Sequence, residues 1–504
     1  MALPLTNKPL TAKPFERAVS SYCGWCSVSC GLIAYLNGDE LADLYGHPAD
    51  PDGVGSLCSK GIAYNYLHAS PFRVTRPLVR EGSSFRPVDG REVKRRLEQL
   101  LSKKVAVFLD RYFTLEEYAL ARSLGEVYSE VTYLPFNRTS DRPRLWREKK
   151  LVINLGVEPV SSEVMLARWL VDAAEKGAYL FSVGHRVGSL FQKARRFELR
   201  KPDDAVELFL NLLEGEGKEG RLLKELGPQA LLLISQSYLE SPFGNLLLNA
   251  VKRAVELYGC SYAFVGHFSP LPVKPLSAFV DELEQYEVLL LFGNPLTYLP
   301  DEKLELLKGK TLISVSYFPD FTALKSDIIL PREAKGEKAV TNRGVGFLAF
   351  SPPFLKPRVP SLLPEPPKEA VRELVRSLGV EPERLEREGK VFYELPPVTE
   401  FSFPEEKTVR SELWVVKEEL LLEQLGRWFT RLLPLEPERP LYAAPKTAPR
   451  LKPYFPEVRE DACSAEGVLL VSPAYEESQP FNPSTRPGAL PGRPGWRVAP
   501  LELE

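Results

Sequence analysis

The sequence predicts an α/β protein, with a small N-terminal cysteine-bearing module, two doubly wound α/β units and an irregular C-terminal region. Three observations carry this expectation. Four of the six cysteines lie within the first 58 residues. From residue 104 to residue 316, short apolar runs alternate with helix-length amphipathic stretches. After about residue 355 that alternation stops and proline and glycine accumulate.

Composition bounds the reading. A chain of 504 residues exceeds what one compact core supports, so two to four domains are expected. The net charge of −2 offers no basic stripe for nucleic acid and no like-charged tail. Hydrophobic residues at 44% and aromatics at 10% are globular values. The opening "MALPLTNKPLTAKPFERAVSSY" has no apolar export region and no twin arginine. No apolar run reaches the ~18 residues of a membrane span. A cytoplasmic protein with no direct membrane span is expected, and there clustered cysteines serve metals more often than disulfides.

The elements follow in order. Residues 17–76 form the module, with strand-like pieces between Gly- and Asp-containing loops and little core of its own. The first α/β unit is expected over 77–228, with apolar runs "KVAVFLD" (104–110), "KLVINLG" (150–156) and "GAYLFSV" (177–183). The second covers 229–355, with "ALLLIS" (230–235), "SYAFVG" (261–266), "VLLLFG" (288–293) and "TLISVS" (311–316). Continuous apolar strands alternating with helices such as "GNLLLNAVKRAVELYG" indicate parallel sheets covered on both faces, in a Rossmann-like arrangement. Residues 356–433 hold the linker "PPFLKPRVPSLLPEPP" and two expected helices, "KEAVRELVRSLG" and "SELWVVKEELLLEQLGRWFTRLL". The tail 434–504, with "FNPSTRPGALPGRPGWRVAP", either wraps over a partner or lacks fixed structure.

An internal echo marks two candidate niches. "LVINLGVEP" (151–159) and "VLLLFGNPL" (288–296) both read apolar strand, Gly, turn, Pro. Gly156 and Gly293 either let the backbone approach a ligand phosphate or simply make tight turns.

The cysteines are spaced Cys23-x2-Cys26-x3-Cys30, with Cys58 in "GSLCSKG". Structural zinc usually takes two short pairs. A triplet plus one distant thiol suits a cubane, whose four irons each take one terminal ligand, so a [4Fe–4S] cluster is expected. His47 and His68 are expected at polar surface positions, and Cys260 and Cys463 as ordinary thiols.

"YCGWCSVSC…CSKG" resembles the N-terminal cluster motif of the molybdopterin oxidoreductase superfamily, which includes formate dehydrogenases and the large iron–sulfur subunit of NADH–quinone oxidoreductase. "LVINLGVEPVSSEVMLARWLVDAAEKGAYLFSV" and "LLLFGNPL", with "SDIILPREAKGEKAVTNRGVGF", resemble the family's two nucleotide niches. The resemblance covers about residues 20 to 350. It implies two molybdopterin guanine dinucleotides (MGD) around molybdenum or tungsten. It places Lys60 between cluster and pterin, where the bland alternative is a solvent-facing lysine. Gly293, Asn294 and Pro295 match the second niche.

The chain also departs from that pattern. The segment "VTYLPFNRTSDRPRLW" carries no cysteine for the metal; Ser140 and Asp141 are the only candidates and read better as turn residues. Glu158 stands where relatives place Asn, and a carboxylate repels phosphate. The expectation is therefore a redox subunit that relays electrons through one cluster, beside other iron–sulfur or respiratory-complex subunits, without a catalytic Mo or W centre. The alternatives are a catalytic Mo/W-bis-MGD enzyme such as a formate dehydrogenase, and a structural assembly subunit with a non-redox cluster.

Overall fold

The computed structural model describes residues 3, 5–6, 8–159, 163–299, 301–393, 395–399, 411–412, 414–417, 441–453, 458–460, 464–471 and 498–500. These fall into two compact units. The first draws on Met1–Tyr133 and Leu271–Glu394, the second on Leu134–Pro270 and the described residues beyond Leu395.

The first unit opens with an antiparallel sheet of Arg17–Tyr22, Gly31–Asn37 and Glu40–Gly46. An eight-stranded sheet follows, in the order Lys274–Pro275, Gly125–Ser129, Val105–Leu109, Val288–Phe292, Thr311–Ser316, Ile328–Pro331, Leu78–Glu81, Ser84–Pro87. Its first six strands are parallel, and a hairpin joins antiparallel at Ile328. Val105–Leu109 and Val288–Phe292 are buried at every position, as strands covered on both faces must be. Helix Leu115–Leu124 lies against the sheet and starts with a capping box: Thr114 Oγ1 accepts from the Glu117 amide, and Glu117 Oε2 accepts from the Thr114 amide. A third sheet joins Val340–Arg343, Phe347–Ser351 and Lys390–Phe392.

The second unit holds a fully parallel sheet, in the order Arg196–Leu199, Tyr179–Gly184, Leu151–Leu155, Ala230–Ser235, Ser261–Val265. The chain winds outward in one direction from Leu151 and then in the other from Ala230. Open α/β sheets bind ligands outside the carboxyl ends of strands at such a reversal. Trp414–Lys417 and Val468–Val471 pair in a second, mixed sheet. Trp414 packs at 5.6 Å from Phe243 in the core of this unit.

Two expectations need correction. Strand pairing crosses the boundary expected at residue 228: Leu151–Leu155 pairs with Ala230–Ser235, while Val105–Leu109 pairs with Val288–Phe292. Uniformly apolar strands carry no mark of their partner, so sequence order alone suggested the wrong grouping. The second expected C-terminal helix contains a strand, Trp414–Lys417, because "WVV" buries Trp414 and Val416. The first is the helix Lys368–Ser377. Residues 418–433 and "FNPSTRPG" lie outside the described residues. Among the described residues no helix is long and apolar enough to cross a membrane.

A buried charge network closes the carboxyl edge of the eight-stranded sheet. Arg332 Nη1 donates to Asp110, and its Nη2 and Nε donate to Glu117 Oε1 at 2.9 and 3.0 Å. Burial raises the Asp110 carboxyl, but Arg332 more than offsets it and holds it below the usual range. The stability Asp110 contributes is therefore complete above the unfolded value of about 3.9 and is lost as pH falls through the lower folded value. Replacing Arg332 with Leu should cost about 3–5 kcal/mol at pH 7, since two buried carboxylates lose their partner. The cost should shrink near pH 4, where Asp110, freed of Arg332, can take a proton. Urea unfolding at both pH values checks this, and an equal cost at each would refute it.

Candidate functional site: the cysteine loop and two sheet-edge niches

Antiparallel pairing of Tyr22 with Gly31 closes the loop 23–30, so Cys23 and Cys30 face each other across its neck. The Cys23 amide donates to the Cys30 carbonyl at 2.8 Å, and the Ser29 amide to that of Cys26 at 3.3 Å. Ser29 takes φ +44°, the left-handed turn that brings the loop back. Cys58 immediately precedes the short helix Ser59–Ile62. None of the four thiols is in a disulfide; Cys23 and Cys30 are buried, Cys26 and Cys58 half-buried. Burial first, then the charge of Cys58, pushes the Cys23 thiol up to about 12. Burial, then Cys26 and Cys23, push Cys30 well up. The four sulfurs thus sit in one electrostatic neighbourhood.

Aromatic rings wall the loop. Trp25 is 1% exposed and lies 5.5 Å from Tyr64, 5.8 Å from Tyr112 and 5.9 Å from Tyr317. Lys60 is buried rather than solvent-facing, which corrects the bland alternative. Burial lowers its pKa, but Tyr112, Cys26 and Cys58 more than offset this and leave it raised. Lys335 is buried on the Gly24 side of the loop, and burial pushes it down to about 8.

The loop suits an iron–sulfur cluster on its own observations. Trp25 Nε1 and Ser29 Oγ are buried there with no hydrogen-bond partner. Cluster and thiolate sulfurs accept such bonds, and these bonds tune the potential. Among the described residues no three His, Cys, Asp or Glu side chains gather tightly enough for a single metal ion. Mononuclear zinc needs all its thiolates within about 2.3 Å of one centre, whereas a cubane takes one per iron.

The niches suit a dinucleotide less well. Gly156, with φ +66°, follows Leu151–Leu155, and a Cβ there would lie 2.3 Å from Tyr238 Cε2. The glycine makes room for a ring of the chain itself. Glu158 Oε2 accepts from the Leu190 amide at 3.3 Å, so this carboxylate stands where a phosphate could accept. A Cβ on Gly293, at φ +76°, would likewise lie 2.8 Å from Asp110 Cβ. Asn294 Oδ1 accepts from the Thr322 amide at 2.8 Å, and Pro295 starts the single turn Pro295–Tyr298. Both turns match the sequence reading, and at each glycine the place of a Cβ is taken by a side chain of the protein.

The remaining candidates are structural. Ser140 Oγ accepts from the Tyr262 amide at 3.0 Å, and Asp141 pairs with Lys149 at 2.7 Å. His47 is buried, not at the surface, and its Nδ1 accepts from the Ala49 amide. His68 is half-buried and its Nε2 meets the Lys356 carbonyl. Cys260 sits in the second unit's core, where burial raises its thiol to about 12. Cys463 lies outside the described residues. Sequence reasoning missed Lys335 and Tyr238. Lys335 falls within a niche motif, yet nothing local pointed it at residue 24.

Residues 16–66 match the Molybdopterin oxidoreductase Fe4S4 domain. A stretch of 64 residues is 39% identical to formate dehydrogenase 2 subunit alpha (cytochrome c-553) of Nitratidesulfovibrio vulgaris, covering 13% of this chain and 6% of that protein. A stretch of 70 residues is 30% identical to F420-dependent formate dehydrogenase subunit alpha of Methanocaldococcus jannaschii, covering 14% and 10%. The match thus spans a tenth or less of these relatives' own length. Acetylene hydratase from Pelobacter acetylenicus superposes with a TM-score of 0.61 at 14% identity, over 93% of this chain and 95% of that one, a likeness of fold. Fold and site define an α/β protein opened by a [4Fe–4S] domain. Over residues 16–66 the chain carries the Fe4S4 domain of molybdopterin oxidoreductases, and its fold as a whole is like that of acetylene hydratase.

Replacing Gly156 with Ala is expected to cost about 1–3 kcal/mol, from left-handed strain and the clash with Tyr238. In a Tyr238→Ala background the same change should cost measurably less, because the clash is gone. Denaturant unfolding of the four proteins gives the coupling; strict additivity would show that the ring does not fill this niche.

Proposed function

We propose that Cys23, Cys26, Cys30 and Cys58 hold one [4Fe–4S] cluster and that the protein is a redox subunit relaying electrons within a larger complex. The observation that carries this is the closed cysteine loop, with buried donors and two buried lysines about it, inside the matched Fe4S4 domain. The cluster, when bound, supplies a one-electron couple. The chain's own residues do the rest. Trp25, Tyr64, Tyr112 and Tyr317 exclude water from the loop. Lys60 holds a positive charge beside Cys26 and Cys58, which favours the reduced state.

In this reading the two parallel sheets are Rossmann-like units whose niches have turned to internal packing. Glu158 at the first, taking the Leu190 amide that a phosphate could use, argues against bis-MGD and so against Mo or W catalysis. Electrons then enter and leave through partner proteins, in keeping with relatives that are themselves named as subunits. A second reading, a catalytic Mo/W subunit, is favoured by the near-complete fold likeness to acetylene hydratase.

Anaerobically prepared protein should contain about four irons and four acid-labile sulfides per chain and show a paramagnetic signal on reduction. Cys58→Ala should abolish that signal and loosen residues 20–75 to proteolysis, since the module has little core. Zinc in place of iron would overturn the assignment. Elemental analysis after growth with molybdate and tungstate should find neither metal, and stoichiometric amounts of either would decide for the catalytic reading.

A further inference from the structure

Lys335 is a buried cation that the family resemblance leaves without a role. Its Nζ donates to the Gly24 carbonyl at 2.6 Å and to Asn342 Oδ1 at 3.4 Å. Neither acceptor is charged. Among the described residues Lys335 makes no ion pair, and the nearby carboxylates of Asp110 and Glu117 are bound by Arg332. A buried ammonium without a counter-ion costs several kcal/mol. Asp110 and Glu117 act on Lys335 only through space, so an anion in the loop would be its nearest counter-charge.

The geometry says where that anion would be. Gly24 lies between Cys23 and Cys26, and both sides of its peptide environment are tied. Its amide donates to Tyr64 Oη at 2.9 Å and its carbonyl accepts from Lys335. A Cβ on Gly24 would lie 2.4 Å from Lys335 Cδ and 2.8 Å from Asn342 Oδ1. The lysine stem thus crosses the loop in contact with its backbone, and a Cβ at residue 24 would displace it. Tyr112 lies 6.0 Å from the ammonium and 5.8 Å from Trp25. Four thiolates around an iron–sulfur cube make a net anion, and the loop that Lys335 crosses supplies three of them.

We propose that Lys335 is a second counter-ion of the cluster, independent of Lys60, and that it raises the reduction potential while fixing the Cys23–Cys26 turn. The inference rests on the four-cysteine assignment above. One electron enters the cluster on reduction; the ammonium keeps its proton, and no bond to Lys335 forms or breaks. Lys60 reaches the site from beside Cys58 and Lys335 from residues 332–343, so the two charges act from separate parts of the chain. Lys335 is a positioning residue and touches no substrate.

The test is a redox titration of the whole chain, followed by paramagnetic resonance, with iron and sulfide measured on each sample. Lys335→Met should keep its iron and lower the midpoint potential by about 59 mV, a tenfold change in a one-electron equilibrium. Lys335→Arg, which keeps the charge, should stay near the unaltered protein. An unchanged potential in Lys335→Met with full iron would overturn the proposal, as would a fall in Lys335→Arg equal to that in Lys335→Met. Should Lys335→Met lose iron, Lys335→Gln is titrated in its place, with the same two outcomes. Loss of iron in Met, Gln and Arg variants alike would mark a structural support only and would also overturn it. Absence of any cluster signal in the unaltered protein is a different failure, that of the cysteine assignment.

Discussion

A bidentate ion pair with no solvent exposure, Arg73 to Glu337 at 2.6 and 2.7 Å, holds the cysteine module in place. Glu337 Oε2 also accepts from the Ala334 amide at 2.9 Å, so one carboxylate both clasps the module and shapes the turn 334–337. That turn aims Arg332 at Asp110 and Lys335 at Gly24. A second buried clasp repeats the device on the module's other side. Lys390 Nζ reaches Asp50 at 3.0 Å and Asp52 at 3.1 Å, while Asp50 Oδ2 accepts from the Gly31 amide at 2.7 Å. A segment too small to bury a core of its own is thus fastened by charges that cannot leave their partners without large cost.

The same burial has opposite meanings for thiols and lysines around the loop. It pushes the Cys23 and Cys30 thiols up, towards the protonated form. It weakens the hydration of Lys60 and Lys335, so their charge is felt over a longer range than it would be in water. The aromatic wall of Trp25, Tyr64 and Tyr317 provides the low dielectric for both effects.

Much of this was legible in the sequence, and for physical reasons. "KVAVFLD", "VLLLFG" and "TLISVS" are strands because uninterrupted apolar runs of that length have nowhere else to go. The Cys spacing showed which residues gather. Which strands pair could not be read, since an all-apolar strand looks the same from either neighbour. Nor could the packing at the two glycines: "LGVEP" and "FGNPL" specify a turn, while Tyr238 and Asp110, which leave no room for a Cβ there, lie 82 and 183 residues away in the chain. The lysine at 335 was hidden for the same reason. "WVV" within an expected helix shows the converse failure, where tertiary burial of Trp414 overrode a helical context.

The cysteines leave the ribosome well before the groups that enclose them, which are encoded far downstream. Arg332, Lys335, Glu337 and Lys390 follow Cys58 by 274 to 332 positions, and the whole 134–270 stretch is interposed. At synthesis rates of ~5–20 residues per second, the nascent module spends on the order of tens of seconds without its clasps. Iron delivered during that interval would meet an open, water-filled loop. In the reading proposed above, a cluster assembled before Lys390 has emerged would sit in a loop that is not yet enclosed.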